Sequence, residues 1–238
     1  MSAVPTVVLV HGAFAESASW SGVLSRLAAA DVPAFATPNP LRSVATDAEN
    51  VRRVVEAVEG PVVLVGHSYG GAVITEAASD NPGVVGLVYV AAFAPDHGES
   101  CFELTDKFPG STLGGTVRSV PLGDGTNDLY VDRALFGEQF AADVPPHEAA
   151  LQAATQRPIR DLALAERLGA AHPAWRSLPS SFVFGDADRN IPVAGLRFMA
   201  DRSGSAHVTE VPGASHSVAV SHPDVVAAVI VDAVRQHG

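Results

Sequence analysis

The sequence predicts an α/β fold, in which helices cover both faces of a mostly parallel β-sheet. Short β-branched runs alternate with Ala-rich segments of helical periodicity, as they do in βαβ units. Most of these runs are apolar throughout, which is typical of strands buried on both faces of a sheet. With 238 residues and 47% hydrophobic content, the chain is long enough to bury a large core as a single domain.

The first part of the chain contains four predicted strands separated by predicted helices. The strands lie at residues 6–10, 33–39, 62–65 and 84–92. The helices lie at residues 17–30, 46–58 and 72–79. The third strand continues into its helix through a glycine-containing turn without a spacer, so this junction is the sharpest turn that the sequence predicts.

Residues 95–178 interrupt the alternation with scattered Gly and Pro, a turn-like segment at 123–127, and helical segments near 148–156 and 161–169. We therefore predict a core formed by residues 1–94 and 179–238. Residues 95–178 are predicted to form a compact lid (cap) inserted after the fourth predicted strand. No linker-like spacer separates the two halves, which disfavours a pair of swivelling domains.

The alternation resumes after this insertion and continues to the end of the chain. Strands are predicted at 181–184 and 207–211, and helices near 193–200 and 224–234. Ser221, with Asp224 three residues later, is the predicted N-cap of the last helix.

Composition excludes several classes of partner. Fifteen basic and 26 acidic residues give a net charge of −11, so a nucleic-acid backbone would be repelled. No apolar stretch approaches 18 residues and residues 1–5 carry no export signal, so we expect a cytoplasmic protein without a membrane partner. Cys101 is the single cysteine and no histidines lie at metal-ligand spacing, so we expect neither a disulfide nor a metal site. Oligomeric state has no sequence signal.

The segment Gly66-His67-Ser68-Tyr69-Gly70 matches the G-x-S-x-G pattern of a nucleophile elbow. A chance match in a Gly-rich chain, serving only as a tight turn, is the alternative. However, the motif lies between a buried strand and a helix, which is where this chemistry requires a serine hydroxyl to project. The lack of a Lys-Ser/Thr ending disfavours a P-loop, so Ser68 is the predicted nucleophile.

A serine nucleophile needs a base, and in this arrangement the acid and then the histidine follow it along the chain. His216 is the predicted base because it lies in a loop between the last strand and the last helix, where ligands of open α/β sheets bind. Two carboxylates follow the strand at 181–184. Asp188 is preferred as the acid over Asp186, which could serve the turn, and Asp96 is a third candidate.

An oxyanion hole requires two backbone N–H groups, one from the residue after the nucleophile and one from the turn after the first strand. Tyr69 and Ala13 are the predicted donors. Phe14 is expected either in the pocket wall or in the core. His11 and His67, which precede tight turns, are expected to fix loop geometry rather than act as bases.

Four segments together resemble the α/β-hydrolase superfamily over nearly the whole chain: residues 10–13, 66–71, 185–192 and 213–216. The early His-Gly-Ala and the compact lid are similar to the branch that holds plant methylesterases, hydroxynitrile lyases and bacterial carboxylesterases. This resemblance implies a cofactor-free site with Ser68, Asp188 and His216 as the triad and Ala13 and Tyr69 as oxyanion donors. Hydroxynitrile lyases of the branch usually carry Thr at the position of Gly12 and Lys at that of Ser217, which disfavours lyase activity.

The predicted function is hydrolysis of a small, hydrophobic carboxylic ester through an acyl-enzyme intermediate. A lyase or carbon–carbon bond hydrolase with the same triad, or a catalytically weak small-molecule receptor, are the alternatives. The insertion carries apolar side chains that would either line a pocket for an aromatic or acyl group or form the core of the lid. These side chains are Phe102, Phe108, Leu113, Phe136, Phe140 and Trp175.

Overall fold

The computed structural model describes residues 4–237, and its strands and helices alternate as the sequence predicts. The strands are β1 (Thr6–Val10), β2 (Ala34–Thr37), β3 (Val62–His67), β4 (Val84–Val90), β5 (Val117–Pro121), β6 (Asn127–Val131), β7 (Ile159–Arg160), β8 (Ser180–Gly185) and β9 (His207–Val211). The helices are α1 (Ser21–Ala29), α2 (Val44–Glu56), α3 (Tyr69–Ala78), α4 (Cys101–Asp106), α5 (Arg133–Phe140), α6 (Pro146–Thr155), α7 (Asp161–Ala165), α8 (Val193–Arg202), α9 (Val218–Ser221) and α10 (Pro223–Arg235).

Six strands form the main sheet in the order β2-β1-β3-β4-β8-β9, and each neighbouring pair is parallel. All six residues of β3 are buried, as expected for a central strand covered on both faces. Leu64 of β3 is in register with Val8 of β1 and Leu87 of β4, and all three side chains belong to the core. The predicted α/β class with a mostly parallel sheet is confirmed.

Strand β3 extends two residues beyond its predicted end, to His67, and α3 begins at Tyr69. Only Ser68 therefore separates strand from helix. The parallel pairing with β4 continues to His67, which is opposite Val90, and this explains the extra length. The sequence pattern underestimated the strand because Gly66 has low strand propensity.

The prediction for the start of the last helix was wrong. Ser221 ends the short helix α9, and its hydroxyl donates to the carbonyl oxygen of Ser217 rather than accepting from α10. His222 is the N-cap of α10, and Pro223 is the first residue of that helix. Proline favours this position because its fixed φ suits the helix and its missing N–H is not needed there.

Residues 95–178 contain α4–α7 and a separate antiparallel sheet in the order β5-β6-β7. Arg42, in the loop after β2, ties this sheet to the main one. Its guanidinium donates to Asp128 of β6 at 2.6 Å and to the carbonyl oxygen of Pro158 at 2.9 Å. A side chain from the loop after β2 thus contacts both β6 and the segment before β7. In the described part of the chain, no helix has both the length and the apolar character needed to cross a membrane.

Truncation of the central strand tests this description of the core. Leu64→Ala would remove a fully buried side chain, and we expect the free energy of unfolding to fall by about 2–5 kcal/mol. Leu151→Ala is the matched control because Leu151 is 63% exposed, and its effect should stay within about 0.5 kcal/mol. Urea titrations measure both values. Equal losses for the two variants would contradict the assignment of β3 to the centre of the core.

Candidate active site

Ser68 occupies a strained turn between β3 and α3. Its φ is 54° and its ψ is −124°, an unfavourable region for a residue with a side chain. Glycines make this turn possible. A Cβ at Gly66 would lie 2.6 Å from the carbonyl oxygen of Gly70, and a Cβ at Gly70 would lie 2.5 Å from that of Val10. The elbow therefore needs glycine on both sides of Ser68 because backbone packs against backbone there.

His216 and Asp188 lie in the loops that follow β9 and β8, and their side chains meet. The distance from Nδ1 of His216 to Oδ2 of Asp188 is 2.6 Å, and both side chains are at most 1% exposed. The other carboxylate oxygen accepts the backbone N–H groups of Asn190 and Ile191 at 2.8 and 3.0 Å. Because a carboxylate accepts from Nδ1–H, Nε2 of His216 is left as the ring's free acceptor.

The competing carboxylates serve other parts of the chain. Asp186 is exposed and accepts the backbone N–H of Gly213 at 2.6 Å, so it joins the loops after β8 and β9. Asp96 forms an ion pair with Arg176. Of the three candidate acids, the structure brings only Asp188 to His216.

Ser68 and His216 border one cavity of about 570 Å³. Among the hydrogen bonds of the described residues, none joins the side chains of Ser68 and His216. The two residues therefore share a cavity but make no direct hydrogen bond. Catalytic hydrogen bonds are often long without substrate and shorten when it binds.

The two predicted oxyanion donors lie beside Ser68. Ala13 and Tyr69 are buried, and within the described residues neither backbone N–H donates to another protein atom. Tyr69 is the first residue of α3, where an N–H has no acceptor within the helix. Ala13 borders the same cavity as Ser68. Buried, unpaired N–H groups are rare in proteins, so both groups remain candidate donors.

The side chain of Tyr69 is anchored by a residue that the sequence pattern did not reveal. Its hydroxyl donates to Oδ2 of Asp47 at 2.9 Å, and the backbone N–H of Arg42 donates to both oxygens of this carboxylate. Burial raises the pKa of Asp47, and burial beside Asp47 raises the pKa of Tyr69 well above its usual range. Asp47 lies in the first turn of α2, where an acidic residue is common, so no sequence signal marked it.

The cavity wall is mostly apolar. Phe14 borders the cavity, in agreement with the prediction that it lies in the pocket wall. Of the six apolar residues singled out in the insertion, four line the cavity: Phe102, Phe108, Leu113 and Phe140. The other two are core residues of the insertion, since Phe136 stacks on Phe140 and Trp175 donates to the carbonyl oxygen of Pro95. Asn190 and Cys101, which the sequence did not single out for this role, also border the cavity.

His11 fixes the loop that carries Ala13. Nε2 of its ring accepts the backbone N–H of Asn39 at 3.0 Å, so Nδ1 carries the proton and donates to the carbonyl oxygen of Gly12, also at 3.0 Å. The amide of Asn39 donates in turn to the carbonyl oxygen of His11 at 2.9 Å. Burial lowers the pKa of His11 from 6.5 to about 4, which keeps this acceptor neutral.

The described residues contain no group of three or more His, Cys, Asp or Glu arranged to hold a metal ion.

A family model described as "Alpha/beta hydrolase family" matches residues 7–229. The chain belongs to the alpha/beta hydrolase family. The predicted membership is therefore confirmed on most of the length of the chain.

Curated relatives of this alpha/beta hydrolase include proteins with two kinds of activity. The pimeloyl-[acyl-carrier protein] methyl ester esterase of Aeromonas salmonicida is 27% identical, with 92% of this chain and 91% of the relative covered. The α-hydroxynitrile lyase of Arabidopsis thaliana is 26% identical, with 91% and 92% covered. The crystal structure of polyneuridine aldehyde esterase matches with a TM-score of 0.82 at 19% identity, covering 97% of this chain and 99% of that one. At this identity the structural match shows the shared fold.

The neutral ring of His11 makes stability depend on pH. Below about pH 6.5 the unfolded chain binds a proton at residue 11, whereas the folded chain binds it only near pH 4. The contribution of His11 is therefore present above pH 6.5 and decreases as the pH falls towards 4, by about 3 kcal/mol in total. In His11→Gln, which cannot titrate, the free energy of unfolding should fall less over this range. Denaturant titrations at several pH values measure the difference, and identical pH slopes would contradict it.

Proposed function

We propose that this alpha/beta hydrolase cleaves small, apolar carboxylic esters through an acyl-enzyme intermediate on Ser68. The observation that carries the proposal is the buried 2.6 Å contact between His216 and Asp188, directed at the cavity on which Ser68 also borders. Serine, carboxylate and imidazole in this order along the chain form the arrangement that activates a hydroxyl for acyl transfer. The esterase among the relatives supports the same reaction class.

In the first half of the reaction, Nε2 of His216 takes the proton of the Ser68 hydroxyl as its oxygen attacks the carbonyl carbon of the ester. His216 then gives this proton to the departing alcohol oxygen, and the acyl group stays on Ser68. In the second half, His216 removes a proton from water, which attacks the acyl carbon. The bond to Ser68 then breaks, Ser68 regains a proton from His216, and the carboxylic acid leaves.

Asp188 and two backbone N–H groups would stabilise the charges that develop. Asp188 accepts from Nδ1–H of His216 and would stabilise the imidazolium that forms when this ring takes the proton of Ser68, while two backbone N–H groups donate to its other oxygen. The N–H groups of Ala13 and Tyr69 would bind the oxyanion. Losing one donor of this kind typically costs about 2.7–4 kcal/mol of transition-state stabilisation.

The cavity selects the substrate class. Its apolar wall and volume of about 570 Å³ suit an aromatic or medium-chain acyl group. Asp106 is the acidic side chain on this wall, and the chain carries a net charge of −11, so anionic substrates would be repelled. We therefore infer a neutral ester.

Residues 95–178 would act as the lid of this cavity. They supply much of the wall, including Phe102, Phe108 and Leu113, whereas residues 1–94 and 179–238 supply the triad. The ion pair between Arg42 and Asp128 would hold this lid on the core.

The hydroxynitrile lyase among the relatives makes cleavage of cyanohydrins the second candidate. Gly12 argues against the lyase chemistry that uses a side chain at that position. A Cβ there would lie 2.6 Å from Cβ of Ser68 and 3.2 Å from its hydroxyl oxygen. Cyanohydrin or diketone cleavage without ester turnover would favour this candidate. Equal ligand binding by wild type and Ser68→Ala, with no turnover by either, would favour a receptor.

Hydrolysis of short-acyl p-nitrophenyl esters tests the proposal. Ser68→Ala and His216→Ala should each lose nearly all activity, and Asp188→Asn should lower kcat by about 10⁴-fold because the imidazole loses its orienting acceptor. Asp186→Asn is the matched control. It alters a carboxylate two residues away in the same loop, which accepts the N–H of Gly213 rather than contacting His216, so its kcat should stay within about threefold of wild type.

The reverse pattern, with loss in Asp186→Asn but not in Asp188→Asn, would contradict the assignment of the acid. Activity retained by Ser68→Ala would contradict the serine mechanism itself. Circular dichroism and thermal unfolding of each variant separate loss of chemistry from loss of fold.

A further inference from the structure

His67, the residue before the proposed nucleophile, contacts the loop that carries the proposed base. Its Nε2 lies 3.0 Å from the backbone carbonyl oxygen of His216. A carbonyl oxygen only accepts, so Nε2 carries the proton and donates it. The bond joins residues 149 positions apart in the chain. It links the elbow directly to the histidine loop.

The ring of His67 also packs against the ring of His216. Their centroids are 4.8 Å apart with an interplanar angle of 49°. Phe140 meets the His216 ring edge-on at 4.8 Å and the His67 ring at 6.1 Å, and Trp20 meets His67 at 6.2 Å. His67 is thus confined on several sides, and its donor has little freedom to turn away from the carbonyl oxygen.

Burial, reinforced by neighbouring histidines, keeps the His67 ring in its neutral form. Burial lowers the pKa of His67 well below its usual range, and the neighbouring His216 and His11 lower it further. A neutral imidazole can donate from Nε2 without placing a second positive charge beside His216. This matters during turnover, because His216 itself becomes positively charged.

We propose that His67 is a positioning residue for the reaction, whose Nε2–H holds the main chain of His216 so that its imidazole contacts Asp188 and faces Ser68. The inference rests on the proposed function. Because His67 and Ser68 are adjacent, the nucleophile and the base would keep their relative position even if the two loops moved. Misplacement of a reacting group by about 1 Å can lower the rate by about 10²-fold. A hydrogen bond that fixes the main chain of His216 would therefore have a measurable effect on catalysis.

A matched pair of variants isolates the hydrogen bond from packing. Gln and Met have side chains of similar length, but only Gln carries an N–H donor. We expect His67→Met to lower kcat for p-nitrophenyl esters by about 10- to 100-fold, with KM within about threefold of wild type. His67→Gln should recover most of this loss. Trp20→Phe, which disturbs packing around His67 and leaves the donor, should keep kcat within about threefold.

Proton NMR gives a readout that does not depend on turnover. The short contact between His216 and Asp188 should place the His216 Nδ1–H resonance far downfield in wild type and in His67→Gln. In His67→Met the resonance should broaden or move upfield because the loop is no longer held. Thermal unfolding checks that each variant is folded. If His67→Met does not fold, His67→Phe, which keeps an aromatic ring without the donor, replaces it.

The outcomes separate this inference from the proposed function. Wild-type kcat and an unchanged downfield resonance in a folded His67→Met would overturn the positioning role. Equal losses in the Gln, Met and Trp20 variants would also overturn it, since packing alone would then explain them. If wild type fails to hydrolyse esters, or Ser68→Ala retains the activity, the proposed function fails, and the resonance still reports whether His67 holds His216.

Discussion

The site depends on a buried carboxylate. Removing Asp188 from water carries a desolvation cost of several kcal/mol, and such a charge persists only where donors replace the lost water. The structure supplies three of them: Nδ1–H of His216 and the backbone N–H groups of Asn190 and Ile191. Meeting these contacts fixes the loop after β8, the tautomer of His216 and the face that this ring turns to the cavity.

The elements of the core and the main site residues could be predicted because each follows from a local rule. A buried apolar strand running into Gly66-His67-Ser68-Tyr69-Gly70 predicts the elbow, and the ends of β8 and β9 are where parallel strands place side chains above the sheet. The preference for Asp188 over Asp186 also had a local basis, since one of the two was expected to serve a turn. Asp186 instead accepts the N–H of Gly213, 27 residues further along the chain, while Asp188 accepts the N–H of Asn190 two residues on.

What could not be predicted depends on contacts between distant segments. The pairing of Asp47 with Tyr69 joins α2 to α3, and the contact of His67 with His216 spans most of the chain. The sequence pattern does not distinguish the aromatic residues of segment 95–178 that line the cavity from those that form its core. Phe136 and Phe140 lie four residues apart on one helix, yet Phe140 borders the cavity and Phe136 packs behind it. Ser221 was misjudged because its own chain neighbours compete for its hydroxyl.

Arg42 places an unexpected constraint on the outer hairpin. Its guanidinium binds Asp128, while its backbone N–H binds Asp47, the residue that anchors Tyr69. A chain of four residues, Asp128, Arg42, Asp47 and Tyr69, therefore runs from the β5-β6-β7 sheet to a proposed oxyanion donor. A mutant library that varies the β5-β6 hairpin to widen the substrate range should therefore keep Asp128 unchanged. Through these contacts, a change at residue 128 would reach the anchor of Tyr69 from outside the pocket.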